Sequence, residues 1–161
     1  MPQTFALYAM DEMTGRGALA IYADCIQKGR YTFVAETPDW KSWDAEHLPE
    51  HRLVARAGGS VAGFAALSRL YREEHFSGIA GVSVYVDRRH RREGIGLALL
   101  KALQNSANRG KIWTLQSYIF PENQASLRLH ERAGFRRAGR LRRAGRLNGE
   151  WKDVVIYEYN L

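Results

Sequence analysis

Residues 82–100, VSVYVDRRHRREGIGLALL, determine the fold, because they join an apolar strand to an amphipathic helix through a basic turn. The first five letters complete an apolar run from Ile79, which predicts a strand buried on both faces. A helix is predicted from Gly94, since leucines recur at helical spacing. Main-chain NH groups at a helix N-terminus lack partners, and Gly94 and Gly96 let an anion approach them. The stretch therefore predicts a diphosphate site, with Arg91 and Arg92 adding positive charge.

Strands and helices alternate around this stretch. Further strands are predicted at Phe5–Ala9, Arg52–Arg56, Ser60–Leu67, Trp113–Phe120 and Lys152–Tyr159. Further helices are predicted at Met13–Gln27, Ser42–His47 and Asn123–Arg132, with Asp11 capping the first and Gly134 ending the last. The order predicts an α/β (α+β) protein in which helices cover one mixed sheet, forming a single domain of residues 1–161.

Composition limits the class of protein. The chain has 161 residues, of which 45% are apolar and 25% charged, and this balance excludes intrinsic disorder. The first 13 residues lack a signal-peptide pattern and no apolar run approaches a membrane span, so a cytoplasmic protein without membrane attachment is expected. Cys25 is the single cysteine, which excludes an internal disulfide and favours a packing role.

The positive charge is concentrated in one segment. The net charge is +7, and removing six arginines leaves +1, because 7 − 6 = 1. These arginines are Arg136, Arg137, Arg140, Arg142, Arg143 and Arg146, within two consecutive copies of RRAGRL. Clustered arginines can bind nucleic-acid phosphates, with affinity that falls steeply with salt. Because no groove-reading motif accompanies them, a solvated basic strand and turn is the favoured interpretation.

Two motifs resemble those of a known enzyme superfamily. Arg91-x-x-Gly94-x-Gly96 resembles the pyrophosphate loop of the GNAT N-acetyltransferases, and the block from Asn123 through His130 to Phe135 resembles their second conserved block. Thr32-Phe33, Ser83 to Val86 and Trp151-x-Asp153-Val154 look most similar to the phosphinothricin and methionine sulfoximine acetyltransferases. The resemblance implies a mostly antiparallel GNAT sheet and acetyl-CoA as acyl donor. It also implies a small primary amine as acceptor and a homodimer.

The resemblance also assigns residues to the donor site. Two central strands are expected to splay apart and admit the pantetheine arm, and Asn123 is expected to contact the donor as well as cap its helix. The expected donor-binding residues are Val84, Tyr85, Val86, Arg91, Arg92, Glu93, Gly94, Ile95, Gly96, Leu97 and Asn123. The histidines at 47, 51 and 90 show no metal-ligand spacing, and no metal is expected.

The general base is missing from its usual position. An ammonium ion must lose a proton before its nitrogen attacks a thioester, and the departing thiolate must gain one. Relatives commonly carry a glutamate two residues before the position of Ser83, where this chain has Gly81. Glu73, Glu74 and His75 are the nearest substitutes, with a chain of water molecules as the alternative, and His130 is a candidate acid. The absent glutamate also leaves open a non-catalytic acyl-CoA sensor.

Two residues bear on the acceptor. Phe33 and Glu73 are expected to contact it, and Glu73 lies near a position where phosphinothricin-acetylating relatives tend to have arginine. A glutamate there disfavours an anionic phosphinate. The sequence therefore predicts a cationic or neutral amine as acceptor, with amino-acid analogues as the alternative.

Overall fold

The computed structural model describes residues 4–161, and within them one seven-stranded sheet has the order β1-β2-β3-β4-β5-β7-β6. Its strands are β1 (Phe5–Ala9), β2 (His47–Ala57), β3 (Ser60–Arg69), β4 (Ile79–Val86), β5 (Thr114–Ile119), β6 (Arg136–Leu147) and β7 (Glu150–Asn160). The helices are α1 (Glu12–Gln27), α2 (Trp40–Glu46), α3 (Ile95–Asn108) and α4 (Gln124–Arg132). All neighbouring strands pair antiparallel except β4 and β5, which confirms the predicted mixed, mostly antiparallel sheet.

Local sequence accounts for most boundaries. Asp11 and Thr14 form a reciprocal capping box at the start of α1, and Gly134 has a φ of +91° just after α4. The predicted boundaries were wrong at His47, which begins β2 instead of ending α2. The first part of β2 pairs irregularly, because the register with β3 shifts between His47 and Arg52. This shift hides the strand from a search for simple alternation.

The sheet separates two apolar layers. On one face, α3 packs through Leu99, Leu100 and Leu103 against a core that includes Leu115 of β5. On the other face, α1 and α2 pack against Phe64 and other residues of the second cluster. Side chains alternate along β4, so Val82, Val84 and Val86 face α3 while Gly81, Ser83 and Tyr85 face α1. We call these the α3 face and the α1 face.

The arginine-rich strand β6 is a sheet edge, and most of its side chains are exposed. Both copies of RRAGRL contain an irregularity that ends at their glycine, between Arg137 and Gly139 and between Leu141 and Gly145. Several arginines have partners within the protein. Arg136 pairs with Glu158, Arg140 pairs with Asp153, and Arg143 and Arg146 lie over the Trp151 ring. These contacts support the interpretation of a solvated basic edge.

No helix among residues 4–161 is long and apolar enough to cross a membrane.

Candidate active site

The two central strands separate part of the way along the sheet. β4 and β5 pair in parallel from Ile79 opposite Thr114 only as far as Gly81 opposite Gln116. β4 continues to Val86 along β3, but its edge toward β5 has no partner strand. All five residues from 82 to 86 are half-buried although the strand is central. The splayed strands form a cleft whose apex lies at Gly81 and Gln116.

The cleft can both donate hydrogen bonds to an extended ligand and accept them from it. Residues 82–86 of β4 pair with β3 but not with β5. Their alternate main-chain NH and C=O groups therefore point into the cleft. Because these groups would otherwise need water, the edge fits an amide-containing chain such as a pantetheine arm. Tyr85 does not present its side chain there, since its ring packs against Tyr22 and Phe64 on the α1 face, and burial raises the pKa of its phenol.

The turn after β4 leads directly to the N-terminus of α3. Gly94 is the N-cap, with a φ of +83°, and it has no side chain to cap the helix. The first main-chain hydrogen bond of α3 runs from the Ala98 NH to Gly94 O, at 3.1 Å. The NH groups of residues 95–97 precede it and have no acceptor within the helix, so they remain available. Three NH groups at the positive end of a helix fit a diphosphate.

Glycine is favoured at positions 94 and 96 for different reasons. A side chain at Gly94 would meet no atom within 4 Å, but its φ strongly favours glycine. Gly96 is buried within α3, and a Cβ there would lie 3.0 Å from Leu129 Cδ2 on α4 and 3.6 Å from Val86 Cγ2. The absence of a side chain at Gly96 therefore serves helix packing, and its predicted role in the approach of an anion stays a prediction.

The charged residues of the turn are exposed and partly paired. Arg91 donates to the Tyr31 hydroxyl at 3.4 Å and its guanidinium lies over the Tyr31 ring. Glu93 accepts from His90 Nδ1 at 3.1 Å. Arg92 has a φ of +64°. Arg91 thus connects the α1–α2 loop to the turn, so the loop lies next to the proposed diphosphate site.

Asn123 caps α4, as one of its two predicted roles requires. Its Oδ1 accepts a hydrogen bond from the Ser126 NH at 3.2 Å. The predicted donor contact of Asn123 stays a prediction.

Leu70 occupies the space beside Gly81. A Cβ at Gly81 would lie 2.7 Å from Leu70 Cδ2 and 3.0 Å from Ser68 Oγ. Real side chains do not tolerate the first distance, so a glutamate could enter only if Leu70 moved. Leu70 and Ser68 therefore fill the space next to Gly81 that a side chain would need.

The substitute bases lie on a short 3-10 turn at the entrance of β4. Glu74 and His75 belong to this turn, Glu74–Phe76, and both are exposed, as is Glu73 before it. The rings of the turn pack at tilted angles, with His75 against Phe76 at 4.4 Å and Phe76 against Tyr71 at 5.2 Å between ring centroids. The roles of Glu73, Glu74 and His75 stay predictions.

His130 is a buried side chain rather than a surface one, with 2% of its area exposed. Its Nδ1 lies 2.8 Å from Ser126 O and donates to it, because a carbonyl only accepts. Nε2 is then a bare acceptor, and it has no hydrogen-bond partner among residues 4–161. Burial lowers the pKa of His130, which favours this neutral form. An acid role would require a proton on Nε2, so that role stays a prediction.

Phe33 is half-buried against other side chains. Its ring meets Phe120 edge to face at 4.8 Å and lies 3.0 Å from the Cβ position of Gly145 on β6. Tyr31 and Phe33 therefore connect the α1–α2 loop to the diphosphate turn and to β6, and the predicted contact of Phe33 with the acceptor stays a prediction.

Sequence analysis missed three polar residues at the apex of the cleft. Tyr71 and Tyr118 donate from their hydroxyls to Gln116 Oε1 at 3.4 and 3.3 Å. Burial, followed by the hydrogen bond with Tyr71, raises the pKa of Tyr118 to about 12. The strand TLQSYI has polar residues at alternate positions, and this pattern could have drawn attention to Gln116 and Tyr118. Only the strand pairing, however, places Gln116 beside Gly81.

No group of three or more histidine, cysteine, aspartate or glutamate side chains in the described part of the chain could hold a metal ion.

Comparison with known proteins identifies relatives over nearly the whole chain. The model of the acetyltransferase (GNAT) family matches residues 9–135. The L-methionine sulfoximine/L-methionine sulfone acetyltransferase of Pseudomonas paraeruginosa is 33% identical, over 90% of this chain and 88% of that protein. The phosphinothricin N-acetyltransferase of Streptomyces viridochromogenes is 31% identical, over 83% and 75%. The crystal structure of ribosomal-protein-alanine N-acetyltransferase from Brucella melitensis has 28% identity and a TM-score of 0.87, over 97% and 99% of the two chains.

Proposed function

Because this chain belongs to the acetyltransferase (GNAT) family, we propose that it acetylates a small cationic or neutral primary amine in the cleft between β4 and β5. The protein is an acetyl-CoA-dependent N-acetyltransferase, as are its relatives over most of its length. The observation that carries the proposed site is the splaying of β4 from β5 beside the uncapped N-terminus of α3. The free edge of β4 offers main-chain groups to pantetheine, and the N-terminus of α3 offers NH groups to the diphosphate.

The donor would lie along the free edge of β4. We assign the diphosphate to residues 91–97, with the NH groups of 95–97 as its main donors and the arginines at 91 and 92 as mobile charge. The pantetheine arm would follow Val84, Tyr85 and Val86 through their main chain, and the thioester would then reach the apex at Gly81. Asn123 begins the helix that borders the same cleft.

Transfer would be direct. The amine nitrogen, once deprotonated, attacks the thioester carbon, the C–S bond breaks, and the thiolate takes a proton. A main-chain NH on β4 would stabilise the negative charge on the carbonyl oxygen. Glu74, His75 or a water chain would accept the proton of the amine, because Gly81 cannot. His130 is the candidate for returning a proton to sulfur.

The acceptor class follows from charge at the entrance of the cleft. The named relatives act on amino-acid analogues, methionine sulfoximine in one case and phosphinothricin in the other. In this chain Glu73 is exposed at the entrance, where its negative charge opposes a phosphinate group. We therefore propose amino-acid-like or other small amines with no net negative charge as acceptors.

The direct test is release of free CoA from acetyl-CoA with a panel of acceptors and a control without acceptor. We expect turnover with L-methionine sulfoximine or another neutral or cationic amine, and at least tenfold lower kcat/KM with phosphinothricin. Efficient phosphinothricin turnover would contradict the acceptor assignment. Tight acetyl-CoA binding without turnover on the whole panel would instead indicate an acyl-CoA sensor.

We further propose a cytoplasmic homodimer. β6 is a long strand at the edge of the sheet, and Leu141 and Trp151 on the β6–β7 hairpin are 47% and 49% exposed. An uncovered edge that carries large apolar side chains is suited to contact with another chain. Light scattering of the purified protein is expected to give twice the chain mass of 18.3 kDa, and a mass of one chain would contradict the dimer.

A further inference from the structure

A row of polar side chains crosses the α1 face of the sheet at the apex of the cleft. Strand pairing places Ser68 opposite Gly81, Gly81 opposite Gln116, and Gln116 opposite Glu158. Paired residues present their side chains on the same face, about 5 Å apart at Cβ in antiparallel pairs. Gln116 therefore lies between the glycine that replaces the usual carboxylate and a carboxylate on the next strand.

Hydroxyl groups converge on Gln116 from two directions. Tyr118 lies two residues farther along β5, and Tyr71 comes from the segment after β3. Their bonds to Gln116 Oε1, at 3.3 and 3.4 Å, are longer than the usual O–H···O distance of about 2.7 Å. Such loose bonds leave the hydroxyls able to turn toward a ligand, and each oxygen keeps lone pairs that can accept an N–H.

The charged groups near this cluster already have partners. Glu158 is ion-paired with Arg136, and the Arg69 guanidinium donates to the Tyr71 carbonyl oxygen at 3.1 Å. The polar groups that remain for a ligand are therefore the uncharged ones, the two phenols and the Gln116 amide. Tyr118 remains an uncharged phenol at neutral pH, since its pKa is raised to about 12.

From this arrangement we infer that Tyr71, Gln116 and Tyr118 form the subsite that binds and orients the amino group of the acceptor. The inference rests on the proposed acetyltransferase site, because the subsite is useful only if the thioester reaches Gly81. Tyrosine oxygens would accept N–H bonds from the ammonium or amine. These are positioning residues, and none of them removes the proton.

The test compares Tyr118→Phe, Tyr71→Phe and Gln116→Leu with the native protein. Each variant removes one polar group and keeps a similar volume. We expect the acceptor KM, measured with L-methionine sulfoximine at saturating acetyl-CoA, to rise about tenfold in each, as the loss of one hydrogen bond predicts. The Kd for acetyl-CoA, measured by calorimetry, should change less than twofold.

Tyr8→Phe is the matched control, because Tyr8 is 52% exposed on the edge strand β1, which β2 and β3 separate from β4. This variant should keep the native acceptor KM. Native KM values in Tyr118→Phe and Gln116→Leu would overturn the inference while leaving the enzyme assignment intact. If the native protein acetylates no amine, the proposed function fails instead. Calorimetry of L-methionine sulfoximine binding to the CoA complex then tests the subsite independently, with equal Kd in all variants, or no binding even to the native complex, counting against it.

Discussion

Gly94→Val is expected to raise the Kd for acetyl-CoA about a hundredfold, equivalent to about 2.7 kcal/mol. Gly94 adopts a φ of +83° at the N-cap of α3, a conformation that costs an L-residue about 1–2 kcal/mol and a β-branched residue more. Relief of this strain would rotate the turn and misalign the NH groups of residues 95–97. Calorimetric titration with acetyl-CoA measures the effect.

Gly59→Val is the matched control for this experiment. Gly59 has a φ of +84° in the β2–β3 turn, and a Cβ there would also meet no atom within 4 Å. The two substitutions carry the same backbone penalty, so both should lower the free energy of unfolding by a similar amount, at least about 1–2 kcal/mol. Only Gly94→Val should show a raised Kd for acetyl-CoA. Equal acetyl-CoA affinity in the two variants would contradict the diphosphate assignment.

Gly81→Glu is expected to destabilise the protein by about 2 kcal/mol, because overpacking a core typically costs about 1–3 kcal/mol. The new carboxylate is therefore not expected to raise the rate of acetyl transfer in this single variant. The new Cβ would lie 2.7 Å from Leu70 Cδ2 in a buried position. Chemical denaturation measures the loss. Native stability in Gly81→Glu would show that Leu70 does not define this space.

Leu70→Ala combined with Gly81→Glu should reverse much of that loss. Removing the leucine methyl groups makes room for the glutamate, so the double variant should unfold at a higher denaturant concentration than Gly81→Glu. A positioned general base contributes about 10²–10⁴ in rate. We expect kcat/KM at pH 7 to exceed that of Leu70→Ala at least tenfold. Equal values in these two variants would mean that the site does not use a base at this position.

Local sequence was sufficient for the elements whose signals lie within a few residues. The β4–turn–α3 unit, the Asp11 cap and the Gly134 helix end were all predicted and confirmed, because periodicity and capping depend on near neighbours. The family and its chemistry could also be predicted from the sequence, because the loop from Arg91 to Gly96 and the block after Asn123 are each formed by one continuous stretch of residues. The start of β2 at His47 was not, because an irregular register interrupts its alternation.

The sequence alone identified the acetyltransferase (GNAT) family and showed that position 81 is a glycine, which carries no side chain to act as a base. Tertiary structure alone decided what surrounds that glycine. Leu70, Gln116 and Glu158 are separated by 46 or 42 residues along the chain, yet strand pairing and side-chain contact bring them to the same apex. It also decided that Gly96 serves the packing of α3 on α4 and that His130 is buried. Contacts between distant segments depend on the order and register of the strands, which no local pattern encodes.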